Sequence, residues 1–265
     1  TGTTTITFTA TDGAGNTATC TFDVIPSDGV SPTAVCQNVT VNLDGTGNGT
    51  TTAAAVDNGS SDNCGITSMT LSQTAFTCAD IAASPINVTL TVEDGAGNTD
   101  NCAAQVTVVD NIAPTAVCQD ITVNLDATGN VTIVAADIDN GSSDNCSVAS
   151  LSLDITAFTC ADIGVNPVVL TVTDGSGNSS TCNANVTVVD NIAPTAVCQN
   201  FSVALDPTGN ATITAADIDN GSTDNCSVAS LSLDITAFTC ADLAASPITV
   251  TLTVTDGSGN SSTCT

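Results

Sequence analysis

Apolar and polar residues alternate through short runs that return at near-constant spacing. In "ITVNLD" (121–126), Ile121, Val123 and Leu125 share one side and polar residues the other. The turn "ATGN" and the run "VTIVAAD" follow, so the pattern predicts a β-hairpin. "VASLSLDITAF" puts Leu151, Leu153 and Ile155 on one face, opposite Ser152 and Asp154. "VVLTVTDGSGNSSTCNANVTVV" predicts a second hairpin, with Val168, Leu170 and Val172 in one phase and Cys182, Ala184, Val186 and Val188 in another. Between 147 and 166, "AFTCADIGVNP" fits either a short strand or an irregular crossing. No window carries a convincing helical period. Six or seven short strands in about 80 residues predict an all-β fold: a small antiparallel sandwich of immunoglobulin-like type.

That unit repeats. The turn "DGAGN" or "DGSGN" begins at Asp12, Asp94, Asp174 and Asp256, in steps of 82, 80 and 82 residues. "PTAVCQ" begins at Pro32, Pro114 and Pro194. A repeat this regular marks a tandem array. Four modules are expected: 1–29, the C-terminal part of a truncated module; then 30–110, 111–190 and 191–265, the last without the end of its final strand. The chain reads as a stretch of a longer array, because it opens and closes inside modules. "PINVTLTVED" and "PITVTLTVTD" are two residues longer than "PVVLTVTD", and two is the side-chain period of a strand.

Composition narrows the function. The 265 residues include 27 acidic ones and no Lys, Arg or His; Glu93 is the one glutamate. Without cationic side chains there is no attraction to phosphate, which excludes nucleic acid and anionic membrane surfaces as partners. His and Lys bases, Arg clamps and Tyr are all missing, which argues against an enzyme. No 18-residue apolar run exists to span a membrane. Hard cations remain attractive partners, calcium foremost.

The 13 cysteines fall as Cys36, Cys64, Cys78, Cys102; Cys118, Cys146, Cys160, Cys182; and Cys198, Cys226, Cys240, Cys264, with Cys20 left over. Cys20 occupies the fourth position of the truncated module, and its partner is expected upstream. No close Cys pair suits zinc, and no base is available to activate a thiolate. Disulfides are expected, and with them an oxidising, extracellular location. Three pairings are open in each repeat. We favour first with fourth and second with third: Cys36–Cys102, Cys64–Cys78, Cys118–Cys182, Cys146–Cys160, Cys198–Cys264 and Cys226–Cys240. The main rival joins the fourth Cys of one module to the first of the next.

"TATDGAGNTATCTFDV" near the start and "LTVTDGSGNSSTCNANVTVVDNIAPTAVCQ" across the second joint resemble the hyalin repeat (HYR) family, and the resemblance covers essentially the whole chain. It implies an extracellular immunoglobulin-like module associated with adhesion, with no catalytic residues to carry over. It also supports first-with-fourth cysteine pairing. The inner cysteine pair and "DNGSSDNC" look like the version found in very large secreted bacterial surface proteins.

Acidic residues gather in three places: the joint (Asp28, Asp110, Asp190), the "ADIDNGSSDN" segment (Asp57, Asp62; Asp137, Asp139, Asp144; Asp217, Asp219, Asp224) and the Gly-rich turn (Asp94, Asp174, Asp256). In an immunoglobulin-like sandwich these loops share one pole, so the whole set is a candidate junctional calcium site. Five carboxylates without a basic partner repel unless a cation lies among them. The competing explanation is local, since Asp and Asn favour turns. The first repeat has Ala55 where the second has Asp137, so not every position is essential.

The function expected is a structural segment of a long extracellular fibre or adhesin stalk, stiffened by disulfides and calcium. Its partners are further copies of the repeat and, in a bundled filament, identical chains. The alternative is that the modules are themselves calcium-dependent adhesion or glycan-binding domains, which the absence of Trp and Tyr disfavours. Ice or mineral binding through Thr ladders ("TGTTTITFTATDG") is a third reading, weaker because strand Thr on a solvent face is common. The cysteines flanking each joint are 16 residues apart at all three (Cys20 to Cys36, Cys102 to Cys118, Cys182 to Cys198), which leaves little chain to flex.

Overall fold

A computed structural model describes residues 2–265. The chain forms two compact units. One holds the residues up to Ala113 with Asp144–Ser147 and Gly175–Asn178; the other holds Pro114–Ser143, Val148–Asp174 and Ser179–Thr265.

In the second unit, a four-stranded sheet runs in the order Val148–Leu153, Gly164–Asp174, Ser179–Val189 and Ile121–Asn124. The first three strands are antiparallel. The fourth joins in parallel, Val186 opposite Ile121. Facing them, Asn130–Thr132 pairs with Ala157–Thr159. The core lies between the two layers: Leu125, Ile133, Ile138 and Phe158 meet Val168, Leu170, Val172, Ala184, Val186 and Val188. Val168, Leu170 and Val172 have no exposed surface, as strict alternation on a one-sided sheet requires. The first unit repeats this plan with Val39–Asn42, Thr99–Val109, Ile86–Asp94 and Ile66–Leu71, plus Asn48–Thr50 against Ala75–Thr77. It also carries the hairpin Thr4–Thr11/Thr17–Val24, exposed throughout.

Three local expectations change. The runs 121–126 and 131–137 do not form a hairpin with each other. Ile121–Asn124 belongs to the large sheet and Asn130–Thr132 to the small one, so the "ATGN" turn switches layers. One-turn helices occur at Ala53–Val56, Ala135–Ile138 and Ala215–Ile218, too short to leave a period in the sequence. The two extra residues of repeats 1 and 3 lie in longer 3-10 turns, Cys78–Ala83 and Cys240–Ala245 against Cys160–Asp162, rather than in the strands that follow.

The last repeat has a smaller buried core: Ile213, Ile218, Leu252 and Val254. Residues 201–206 form no strand, and Phe201 and Val203 are exposed. Their counterparts Ile121–Asn124 pair with Val186–Val189.

Disulfides correct the pairing. Cys36–Cys102, Cys118–Cys182 and Cys198–Cys264 close within repeats. The bridges Cys64–Cys78, Cys146–Cys160 and Cys226–Cys240 do not form. Cys78 instead bonds Cys146, and Cys160 bonds Cys226, each joining the third cysteine of one repeat to the second of the next. Cys20, Cys64 and Cys240 are free and exposed.

Candidate metal centres at the joints

The joint after Val189 shows how the chain assembles a polar pocket. The strand Ser179–Val189 ends and Asp190 follows, buried at 3% exposure. Its Oδ1 accepts the Ile192 amide at 3.1 Å and the Asn225 side-chain amide at 3.2 Å. Asn225 comes from the "TDNC" loop, whose Asp224 turns back on its own backbone: Oδ2 accepts the amides of Cys226 at 2.9 Å and Ser227 at 3.0 Å. Such Asx turns are what Asp does readily before a bend. Asp256 ends the strand Leu252–Asp256 and accepts the amides of Ser258 at 2.9 Å and Asn260 at 2.8 Å.

Carboxylate oxygens of Asp190, Asp224 and Asp256 lie within 4.8 Å of one another. Asp190 Oδ2, Asp224 Oδ1 and Asn225 Oδ1 are buried and have no hydrogen-bond partner. A buried polar atom without a partner costs about 1–3 kcal/mol, more when charged. Buried acceptors without donors in the residues of this carboxylate cluster and beside it suit a positive charge.

The arrangement recurs. Asp28, Asp62 and Asp94 cluster in the same way, with Asp28 Oδ2 and Asp62 Oδ1 unpartnered. Asp110 and Asp144 form the equivalent pair, with Asp110 Oδ2, Asp144 Oδ1 and Asn145 Oδ1 unpartnered. Cys146 lies beside this pair, but its sulfur is bonded to Cys78 and is no thiolate ligand. The available donors are therefore oxygens, the set a hard cation takes.

The Gly-rich turn has a second task. Its last residue straps the joint: the Asn260 side-chain amide donates to the carbonyls of Asp190 at 3.0 Å and Ile192 at 3.5 Å. Asn178 does the same for Asp110 and Ile112, and Asn98 for Asp28 and Val30. Beyond the strap, Pro194 is buried, and Thr195 exchanges backbone hydrogen bonds with Thr223 at 2.7 and 3.1 Å.

Hydrogen bonding also sets the acidity. Asn98 donates its side chain to Asp94 and, with backbone amides, holds that carboxyl below its ordinary value against the opposing effect of burial. For Asp256 burial is the largest influence and pushes upward, but the Asn260 and Ser258 hydrogen bonds outweigh it. Both are anions at neutral pH.

The remaining predicted aspartates lie elsewhere. Asp137 and Asp217 accept the amides of Val134 and Thr214, both at 2.8 Å, at the start of the one-turn helices. Asp57, Asp139 and Asp219 accept the amides of Ser60, Ser142 and Ser222 at 3.0, 3.1 and 3.1 Å, just past those helices. All five serve local turns. Asp174 is buried at the end of its strand, the chain position that Asp94 and Asp256 hold. Asn145 and Asn225 escaped the sequence reading. Their signal was the invariable Asn in "DNC", easily taken for a turn former.

No protein-family model and no curated protein matches this sequence. Among solved structures, the chain is similar to the extracellular cadherin domains 1–4 of protocadherin gamma B7, at 15% identity over 99% of this chain and 82% of that one, with a TM-score of 0.33. It is similar to the extracellular domain of protocadherin gamma B4, at 15% identity over 99% and 52%, with a TM-score of 0.34. It is also similar to a calcium-stabilised adhesin of an Antarctic bacterium, at 18% identity over 98% and 79%, with a TM-score of 0.28. These likenesses are too distant to carry a functional argument.

Proposed function

We propose that the chain is a structural segment of a long extracellular fibre or adhesin stalk, built from HYR-like modules with the boundaries given above and stiffened at every joint. The observation that carries this reading is the joint itself, where three restraints act on the same few residues. The Asn of the Gly-rich turn straps the joint backbone, buried carboxylates converge on it, and a disulfide links the repeats on either side. A module that binds ligands independently has no need of a covalent tie to its neighbour.

The ion we assign to the joint is calcium. Asp190, Asp224, Asp256 and Asn225 would hold it at one joint and Asp110, Asp144 and Asn145 at another, with Asp28, Asp62 and Asp94 forming the equivalent group in the first repeat. Calcium takes six to eight oxygens and accepts irregular geometry, so water and backbone carbonyls would complete the shell. Bound there, it neutralises carboxylates that otherwise repel.

Five disulfides support an oxidising, extracellular setting. Among the described residues, no helix is long and apolar enough to cross a membrane. Small-angle scattering of the segment, with calcium and with chelator, tests the proposal. The expected result is an extended particle that becomes more flexible when calcium is removed. An identical profile in both conditions removes calcium from the joint. Saturable binding on a glycan array would favour the alternative, that the modules are themselves adhesive.

A further inference from the structure

Four Asn–Gly pairs occur in the chain, beginning at Asn48, Asn58, Asn140 and Asn220. Such a pair carries the parts of an intramolecular reaction. The glycine nitrogen is held near the side-chain carbonyl carbon of the asparagine before it, and attack there closes a five-membered ring. Glycine has no Cβ to shield that nitrogen. The fold decides which of the four pairs is poised to react.

Three pairs hold the same place in successive repeats, the "DNGS" turn that follows each one-turn helix. Asn58, Asn140 and Asn220 are exposed, as are the glycines after them. Among the described residues, no protein group hydrogen-bonds their side-chain amides. The turn requires glycine, since Gly59, Gly141 and Gly221 have φ of +89°, +87° and +84°. A Cβ on any of them would meet nothing within 4 Å, so the turn is uncrowded. Each glycine nitrogen also faces a carboxylate. Gly59 donates to Asp57 Oδ2 at 3.3 Å, Gly141 to Asp139 Oδ2 at 3.4 Å and Gly221 to Asp219 Oδ2 at 3.3 Å.

Asn48 is the contrast. It is exposed too, but its side-chain amide donates to the Thr46 carbonyl at 3.1 Å and the Thr46 hydroxyl at 2.9 Å. Gly49 lies in the strand Asn48–Thr50, opposite Phe76, and a Cβ on it would come within 2.5 Å of Val41 Cγ1. The dipeptide is the same, but both of its reacting groups are pinned and no aspartate carboxylate receives the Gly49 amide.

We infer that Asn58, Asn140 and Asn220 are sites of self-catalysed deamidation, in which the preceding aspartate draws the proton from the attacking glycine nitrogen. That nitrogen bonds to the asparagine Cγ, and the bond from Cγ to the side-chain nitrogen breaks. Ammonia leaves, carrying the proton that the carboxylate took up. Water then opens the succinimide at either carbonyl, giving aspartate or isoaspartate. Each event adds one carboxylate. Isoaspartate also adds a methylene to the backbone between two groups that grip Val117: the Asn140 amide, which donates to its carbonyl at 2.9 Å, and the Ser142 hydroxyl, which accepts its amide at 2.9 Å. The modified turn therefore loosens the segment that follows the joint. This goes beyond the stalk reading and does not depend on calcium.

The full chain is incubated in mildly alkaline buffer, folded and, in parallel, reduced and unfolded in urea. Pepsin peptides are then read by mass spectrometry, since no Lys or Arg offers trypsin a site. In the folded chain Asn58, Asn140 and Asn220 should gain the mass of an amide-to-acid conversion while Asn48 keeps its amide. In the unfolded chain all four should convert alike. Asp139→Asn should slow conversion at Asn140 about tenfold, the effect of one lost charge-assisted hydrogen bond, and leave Asn58 and Asn220 unchanged. Ser142→Ala loosens the same turn but keeps the carboxylate, and should not slow it. Conversion of Asn48 as fast as Asn140 in the folded chain would overturn the proposal, as would reaction in the unfolded chain alone. Faster conversion at Asn140 in both variants would also overturn it, because Asp139 would then be a restraint and not a base.

Discussion

Asp190 and Asp217 lie 27 residues apart in the same chain, and both cap a bend, yet they do different work. Asp217 is half-buried and completes a local pattern, accepting both the amide and the hydroxyl of Thr214 at 2.8 and 2.7 Å. Asp190 is buried and accepts two hydrogen bonds through one oxygen, while the other oxygen has no donor at all. A candidate ligand is therefore recognised less by its carboxylate than by the lone pairs its own turn leaves unused. Asp219 belongs with Asp217, and Asp224 with Asp190, although five residues separate them.

Chelation tests that contrast most strongly. If the joint aspartates hold calcium, each site contributes about 2.7 kcal/mol at a free concentration one hundred times its Kd, so EDTA should lower the melting temperature markedly. Equal melting curves in calcium and EDTA would place Asp190 in the same class as Asp217. Asp190→Asn should be next in size and should change sign with conditions. In calcium it is destabilising by about 2 kcal/mol; in chelator it is neutral or stabilising, because it removes a buried charge that no cation balances. Loss of equal size in both media would mean that Asp190 is only a turn former. Asp217→Ala should cost about 1 kcal/mol, the value of a helix cap, and by the same amount with or without calcium.

Acid gives the smallest effect. In Asp126 the Thr128 hydroxyl, then the amides of Asn130 and Thr128, hold the carboxyl below its ordinary 3.8. A depressed folded value stabilises above the unfolded value, and that stability is lost as pH falls through the folded one. Melting temperatures of wild type and Asp126→Asn should therefore differ by a constant amount from pH 7 to about 5 and converge below 3.8. Convergence already at pH 5 would show that the Thr128 contact contributes nothing.

Much of the sandwich was legible because strand burial imposes a two-residue period. Val168, Leu170 and Val172 alternated in the sequence and all three are fully buried. The layer switch at 127–130 was not, since a turn between two alternating runs reads as a hairpin whether or not its arms pair. The candidate site was legible in type but not in membership. Composition pointed to carboxylates and a hard cation, and the joint and the Gly-rich turn are positions whose carboxylates the structure brings together at two joints. Asp57, Asp137, Asp139, Asp217 and Asp219 could not be told apart from Asp62, Asp144 and Asp224, because any Asp near a bend can either bond locally or face away.

The repeat, the alternating strands, the fixed length of each joint and the absence of any cationic side chain to balance 27 acidic residues are all written in the order of the amino acids. These properties depend on spacing along the chain, which any reader of the sequence can count. Which side chains meet depends on how the strands are arranged in space. Cys146 lies 14 residues from Cys160, but the strand Val148–Leu153, about 20 Å of extended chain, intervenes, and the two face different repeats. Cys146 therefore bonds Cys78 across 68 residues, and Cys160 bonds Cys226 across 66. In a stiff β module, nearness along the chain is a poor measure of nearness in space, and the bridges follow space.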